Sequence, residues 1–88
     1  MRINQFSHIE LDNGIVVSVQ AGRCLYCNPR INLDSLIQYD SVEVCIFSNP
    51  KIDFDKFQTI YEYATIEEPM GYVPIDELLT ILKYLESL

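Results

Sequence analysis

Between Phe6 and Gln20, apolar and polar residues alternate on both sides of Asp12-Asn13-Gly14. A period of two marks a strand with one buried face, and an Asn-Gly pair between two such runs marks a hairpin. Register decides the loop length. A two-residue Asn-Gly loop pairs Leu11 with Val16 and Ile9 with Ser18. A three-residue Asp-Asn-Gly loop pairs Leu11 with Ile15 and Ile9 with Val17. The second choice gathers Ile9, Leu11, Ile15, Val17 and Val19 on one face and leaves His8, Glu10, Val16, Ser18 and Gln20 on the other. A slip of one residue would turn the whole apolar set to water, so the three-residue loop is expected, with Gly14 in the left-handed position of a bulge.

Further along, Val42–Phe47 alternates in the same way and reads as a strand that Ser48-Asn49-Pro50 stops. Leu33, Leu36 and Ile37 suit a single helical turn capped by Asn32. Residues 51–66 carry two periods at once: Phe54, Phe57 and Tyr61 have helical spacing, whereas Phe57, Thr59, Tyr61 and Tyr63 have strand spacing. Aromatic and β-branched residues crowd the second half, which favours a strand near Gln58–Ala64 after a short helical turn at Phe54–Phe57. Gly71-Tyr72-Val73-Pro74 reads as a turn into a C-terminal helix. That helix, from about Pro74 to Glu86, has proline at its first position and Asp76 and Glu77 in its first turn. Its apolar stripe is Ile75, Leu78, Leu79, Leu82 and Leu85, widened by Ile81 and Tyr84. The expected architecture is therefore α+β: a three- or four-stranded, mainly antiparallel sheet with one C-terminal amphipathic helix packed on a face. All 88 residues form one domain.

The chain carries 13 carboxylates and 6 lysines and arginines, a net charge of −7. That balance argues against direct nucleic-acid binding, which needs a basic face. It leaves room for an acidic surface that competes for a partner. None of the acids lies between Asn13 and Leu33, a window that holds Arg23, Tyr26, Asn28 and Arg30. The other basic residues, Arg2, Lys51, Lys56 and Lys83, are scattered over the acidic remainder. Two guanidinium groups can grip a phosphate or carboxylate with paired donors. Tyr26 can stack on a base and Asn28 can read a base edge. Tyr72, at the entry to the helix, or Tyr39 can close such a site across a dimer. The competing reading is that both arginines are solvated or pair with Asp34 and Asp40. Hydrophobic residues make up 49% of the chain, including six tyrosines. A composition this apolar in so short a domain favours a homo-oligomer, because tyrosine suits half-wet contact surfaces.

Catalytic machinery is not visible. No serine or cysteine has a histidine and an orienting carboxylate in evident company, Glu67 and Glu68 are adjacent in a turn, and the three glycines form no phosphate loop. Cys24-Leu25-Tyr26-Cys27 admits three readings. It is half of a zinc site completed by Cys45 and His8, a redox dithiol, or two unremarkable cysteines. No cofactor or metal is expected. No stretch approaches the roughly 20 apolar residues of a membrane span and the first residues show no apolar leader, so a cytoplasmic protein is expected.

The order of these pieces resembles a group of small bacteriophage-encoded proteins. Members open with a strand, an Asn-Gly turn and a "VSV"-like strand, here Asn13-Gly14 with Val17-Ser18-Val19. A loop with a tyrosine comes next, here Tyr26. Then come a "YEVAV"-like strand, here Val42-Glu43-Val44-Cys45-Ile46, a Tyr-x-Thr stretch, here Tyr63-Ala64-Thr65, and "GYL" leading into a short acidic helix, here Gly71-Tyr72-Val73 and Ile75–Leu88. The Arg23–Asp40 loop and the Lys51–Glu62 stretch depart from that pattern. The resemblance implies a non-enzymatic protein that acts on bacterial immunity inside an infected host. One expected mode is a sponge that sequesters a nucleotide-like immune signal through Arg23, Tyr26, Asn28, Arg30 and Tyr72. The alternative is a protein–protein inhibitor of a defence effector such as a CRISPR complex.

Overall fold

The computed structural model describes residues 6–47 and 52–88. Four antiparallel strands lie side by side in chain order: β1 (Ile9–Glu10), β2 (Val16–Gln20), β3 (Ser41–Phe47) and β4 (Met70–Pro74). Two helices, α1 (Phe54–Ile60) and α2 (Ile75–Glu86), complete an α+β domain, as the sequence pattern leads one to expect, but with a second helix.

The hairpin adopts the three-residue register. Ile9 faces Val17 and Glu10 faces Val16, Leu11 N donates to Ile15 O at 2.9 Å, and Gly14 has φ 89°. Asn13 does more than turn the chain. Its side-chain amide donates to Leu85 O at 2.7 Å and to Leu88 O at 3.2 Å. Leu85 lies in the last turn of α2 and Leu88 just beyond it, where carbonyls lack the regular helical donor four residues on; Leu85 O accepts from Leu88 N as well, at 3.3 Å. The hairpin loop thus caps the C-terminal helix.

Across β2 and β3, Val17 pairs with Ile46 and Val19 with Val44. These four side chains, with Ile15 and Val42, are sealed from water and form the floor of the core. Leu78, Ile81 and Leu85 of α2 and Phe57 of α1 cover it. Leu79, expected in the buried stripe, is 62% exposed, so the buried stripe of α2 runs through Ile81 instead. The opposite face of β2 is not simply solvated: Ser18 and Gln20 are only 8% and 4% exposed. Gln20 clips the backbone of Phe6, accepting from its N at 3.1 Å and donating to its O at 2.7 Å.

Three expectations need correction. Residues 58–64 do not form a strand. The helix begun at Phe54 runs on to Ile60, capped by Asp53, whose carboxylate accepts from Lys56 N at 3.2 Å. Phe57 decides the matter: fully buried, it stacks on Tyr84 of α2 at 5.7 Å between ring centroids. Tertiary packing here overrides the local strand preference of Thr59–Tyr63. The fourth strand is instead Met70–Pro74, where a turn was expected. Pro74 closes that strand and precedes the helix, whose first N–H, on Ile75, donates to Asp40 O at 3.1 Å. The short turn in the long loop is a 3-10 turn at Leu36–Gln38 with Ser35 before it; Asn32 is not its cap. Ser48-Asn49-Pro50, Arg2 and Lys51 lie outside the described residues.

β4 is irregular for a physical reason. Met70 and Val73 both face the core but stand three residues apart, which strict alternation forbids. Val44 pairs with Met70 and Val42 with Val73, so Gly71 and Tyr72 together oppose Glu43. Tyr72 absorbs the extra residue with φ 54°, a left-handed conformation rare for a bulky side chain. The bulge turns the Tyr72 ring out of the sheet.

Candidate functional site

The Arg23–Asp40 loop is long and irregular but tied down at every few residues. Cys27 is buried, its Sγ accepting from Gly22 N at 3.3 Å and lying 3.2 Å from Gly22 O. Tyr39 is also buried: its hydroxyl accepts from Leu33 N at 2.8 Å and donates to Ile31 O at 2.6 Å. Tyr39 therefore shapes the loop from inside and is not a lid. Asn28 bridges to β3, its N donating to Ser41 O at 3.2 Å and its O accepting from Asp40 N at 2.8 Å.

These ties place Tyr26 at the edge of β4. Its N donates to the Glu43 carboxylate at 3.0 Å and its O accepts from Tyr72 N at 2.9 Å. Gly71 permits the approach, since a Cβ there would stand 2.9 Å from Tyr26 Cβ. The two rings, 57% and 50% exposed, sit 5.9 Å apart at an angle of 50°. The Arg30 guanidinium lies 5.6 Å from the Tyr26 ring centroid, within cation–π range. The result is an exposed ladder of guanidinium, ring and ring.

Of the five residues expected to share a site, the fold thus joins Arg30, Tyr26 and Tyr72. Arg23 and Asn28 are exposed on the same loop but outside the ladder. Arg23 uses its backbone N to donate to Asn32 Oδ1 at 3.1 Å. The Asn28 amide leans toward Asp40 Oδ2 at 3.5 Å, which competes with reading a base edge. Among the described residues, no carboxylate forms an ion pair with either guanidinium, so neither is tied to Asp34 or Asp40.

Beyond Tyr72 the surface falls into a cavity of about 710 Å³ lined by Tyr61, Glu62, Tyr63, Tyr72 and Glu77 with Ile60, Gly71 and Pro74. Tyr61 and Tyr63 meet edge to face, 5.8 Å apart at 73°. Burial pushes the Tyr61 phenol upward, and its interactions with Glu77, Tyr63 and Glu62 add to the shift. The pocket is therefore electronegative, opposite in sign to Arg30. Sequence reasoning missed it because a strand at 58–64 would send Tyr61 and Tyr63 along one face of a sheet. The Tyr-Glu-Tyr triplet was the available signal.

The cysteines offer little. Among the described residues, no three of His, Cys, Asp or Glu come together as a metal site. His8 stacks on Phe47 at 5.9 Å. Cys45 on β3 is half-buried, and burial, then Glu43 and Glu67, raise its thiol pKa, which suppresses the nucleophilic thiolate. No helix among the described residues is long and apolar enough to cross a membrane. No family model matches the chain, and neither a curated protein nor a solved structure matches it.

Proposed function

We propose that this chain acts by binding rather than catalysis, and that the Arg30–Tyr26–Tyr72 ladder receives a nucleotide-like anion. The observation that carries this reading is the exposed guanidinium stacked on an exposed ring, with no ion pair among the described residues to occupy it. A base stacks on the tyrosines, and Arg30 meets the phosphate, with Arg23 on the same loop as the second cation. In this reading the protein is a phage-type sponge for an immune signal in the cytoplasm of an infected bacterium. It works as a homo-oligomer in which exposed apolar side chains such as Ile37 and Leu79 meet a second copy. Protein expressed in bacteria with active immune signalling should release an intact nucleotide on heating, identified by mass spectrometry. Tyr26→Ala with Arg30→Ala should weaken binding by about tenfold or more. Undiminished affinity in that double variant would reject the ladder.

A second reading has its own observation. Asp53, Asp55, Glu62, Glu67 and Glu68 are all exposed, from the cap of α1 to the segment after it. Such an acidic flank suits direct inhibition of a basic defence effector such as a CRISPR complex. It predicts co-purification with a protein and binding that weakens steeply with salt.

A further inference from the structure

We propose that the cavity beside Tyr72 is a binding site for an alkylated ammonium group. Its walls are aromatic on more than one side: Tyr61 and Tyr63 stand nearly perpendicular, and Tyr72 contributes from the bulge of β4. Three phenol rings line one cavity, and the face of an aromatic ring attracts a diffuse cation. The volume, about 710 Å³, lies within the range of small-ligand pockets.

Charge selects the ligand class. Glu62 and Glu77 line the same space. Among the described residues, neither forms an ion pair with a lysine or arginine, so their field is uncompensated. The raised Tyr61 phenol registers that field, because both carboxylates act on it. A phosphate would be repelled here, which distinguishes this pocket in charge from the surface around Arg30. A divalent metal is a poor fit, since the described residues hold no cluster of three ligands and phenol rings do not replace a metal's hydration shell. A methylated ammonium is weakly hydrated, so it gives up little water on entry. It spreads its charge over methyl groups that match the rings, and the two carboxylates balance that charge.

The ammonium site shares Tyr72 with the anion face, so its test uses residues that belong to only one of the two. Choline is the probe for a free ligand, and an N-acetyl trimethyllysine amide is the probe for a modified side chain. The uncharged carbon isostere of choline, 3,3-dimethylbutanol, is the control. Choline or the lysine derivative should bind, shifting tyrosine ring resonances and lowering the Tyr61 phenol pKa; the tighter of the two identifies the source. Tyr63 is 69% exposed, so Tyr63→Ala should leave the fold intact. It should weaken choline binding by about three- to thirtyfold. Glu77→Gln should weaken it too and flatten its dependence on salt. Both variants should retain nucleotide binding, whereas Tyr26→Ala with Arg30→Ala should retain choline binding. Equal binding of the isostere, an unchanged Tyr63→Ala variant, or no response up to tens of millimolar choline would overturn the proposal.

Discussion

The two sides of β3 are built by different rules. On the β2 side, Val17 faces Ile46 and Val19 faces Val44 in an unbroken ladder, and these four side chains are sealed. On the β4 side the ladder slips, Tyr72 is left-handed, and Gly71 is pressed against Tyr26. The regular side puts its side chains into the core. The irregular side gives up some of that order to hold three aromatic and cationic groups in water, where each loses the stabilisation of burial. Strain at a bulge persists only if the surroundings over-determine it, and here β3, the loop and α2 all hold β4 in place. The β2 edge of β3 thus serves the core alone, whereas the β4 edge gives the core Met70 and Val73 and, on the proposed reading, also serves recognition.

Ile46→Ala would break the regular side. Ile46 is fully buried at the centre of the sheet, and such truncations cost about 2–5 kcal/mol. In a domain of this size that is a large share of the total stability. Urea unfolding should show the loss, with no specific effect on ligand binding in whatever fraction stays folded. A loss well under about 1 kcal/mol would mean that β3 is not the centre of the core.

Gly71→Ala tests the irregular side. The new methyl would meet Tyr26 Cβ at 2.9 Å. That atom is fixed by the backbone on both sides, so the loop and β4 must part, at a cost of about 1–3 kcal/mol. Ligand binding should fall along with stability, because the Tyr26 and Tyr72 rings are driven apart. This coupling is the signature that separates the two edges: Ile46→Ala changes stability alone, and Gly71→Ala changes both.

The same contrast explains what was legible in the sequence. The hairpin register followed from alternation because Ile9, Ile15, Val17 and Val19 have only one way to share a face. α2 was legible from its period, apart from Leu79, which the helix turns outward. β4 was hidden because Met70 and Val73 are three residues apart, a spacing that no regular strand produces. α1 was hidden because Phe57 fits both periods, and only its stacking partner Tyr84, 27 positions away, chooses between them. The acid-free window pointed to Arg30 and Tyr26. Tyr72 was expected too, closing the site across a dimer, whereas the bulge in β4 brings it to Tyr26 within one chain; the window could not show that Arg23 and Asn28 would stand outside.

Tyr72→Gly and Tyr72→Ala isolate the backbone cost of the bulge. Both remove the ring and its contact with Tyr26. They differ in that glycine accepts φ 54° freely and alanine does not. The glycine variant should therefore be the more stable of the two by about 1 kcal/mol, in proteins that have lost the ladder equally. Equal stabilities would show that the left-handed conformation carries no strain, and the contrast between the two edges of β3 would lose its energetic basis.

The smallest effect lies in alkaline solution, where each edge contributes one group. Cys45 on β3 and Tyr61 beside the pocket both have pKa values raised by burial first, above ordinary values of 9.0 and 10.0. In the folded protein each holds its proton more tightly than in the unfolded chain. Below the ordinary values both states are protonated and stability is unaffected. As the pH rises past them, the unfolded chain releases protons that the fold retains, so unfolding becomes easier with each step. Urea midpoints should therefore decline as the pH rises through the ordinary thiol value and on through the phenol value. Cys45→Ser should flatten the earlier part of that decline and Tyr61→Phe the later part. Both groups are partly solvated, so each contribution is small. Bound choline should also flatten the later part, because a cation beside Tyr61 favours its ionised form. A flattening by choline that appeared instead in the Cys45 range would place the cation site on the wrong edge of the sheet.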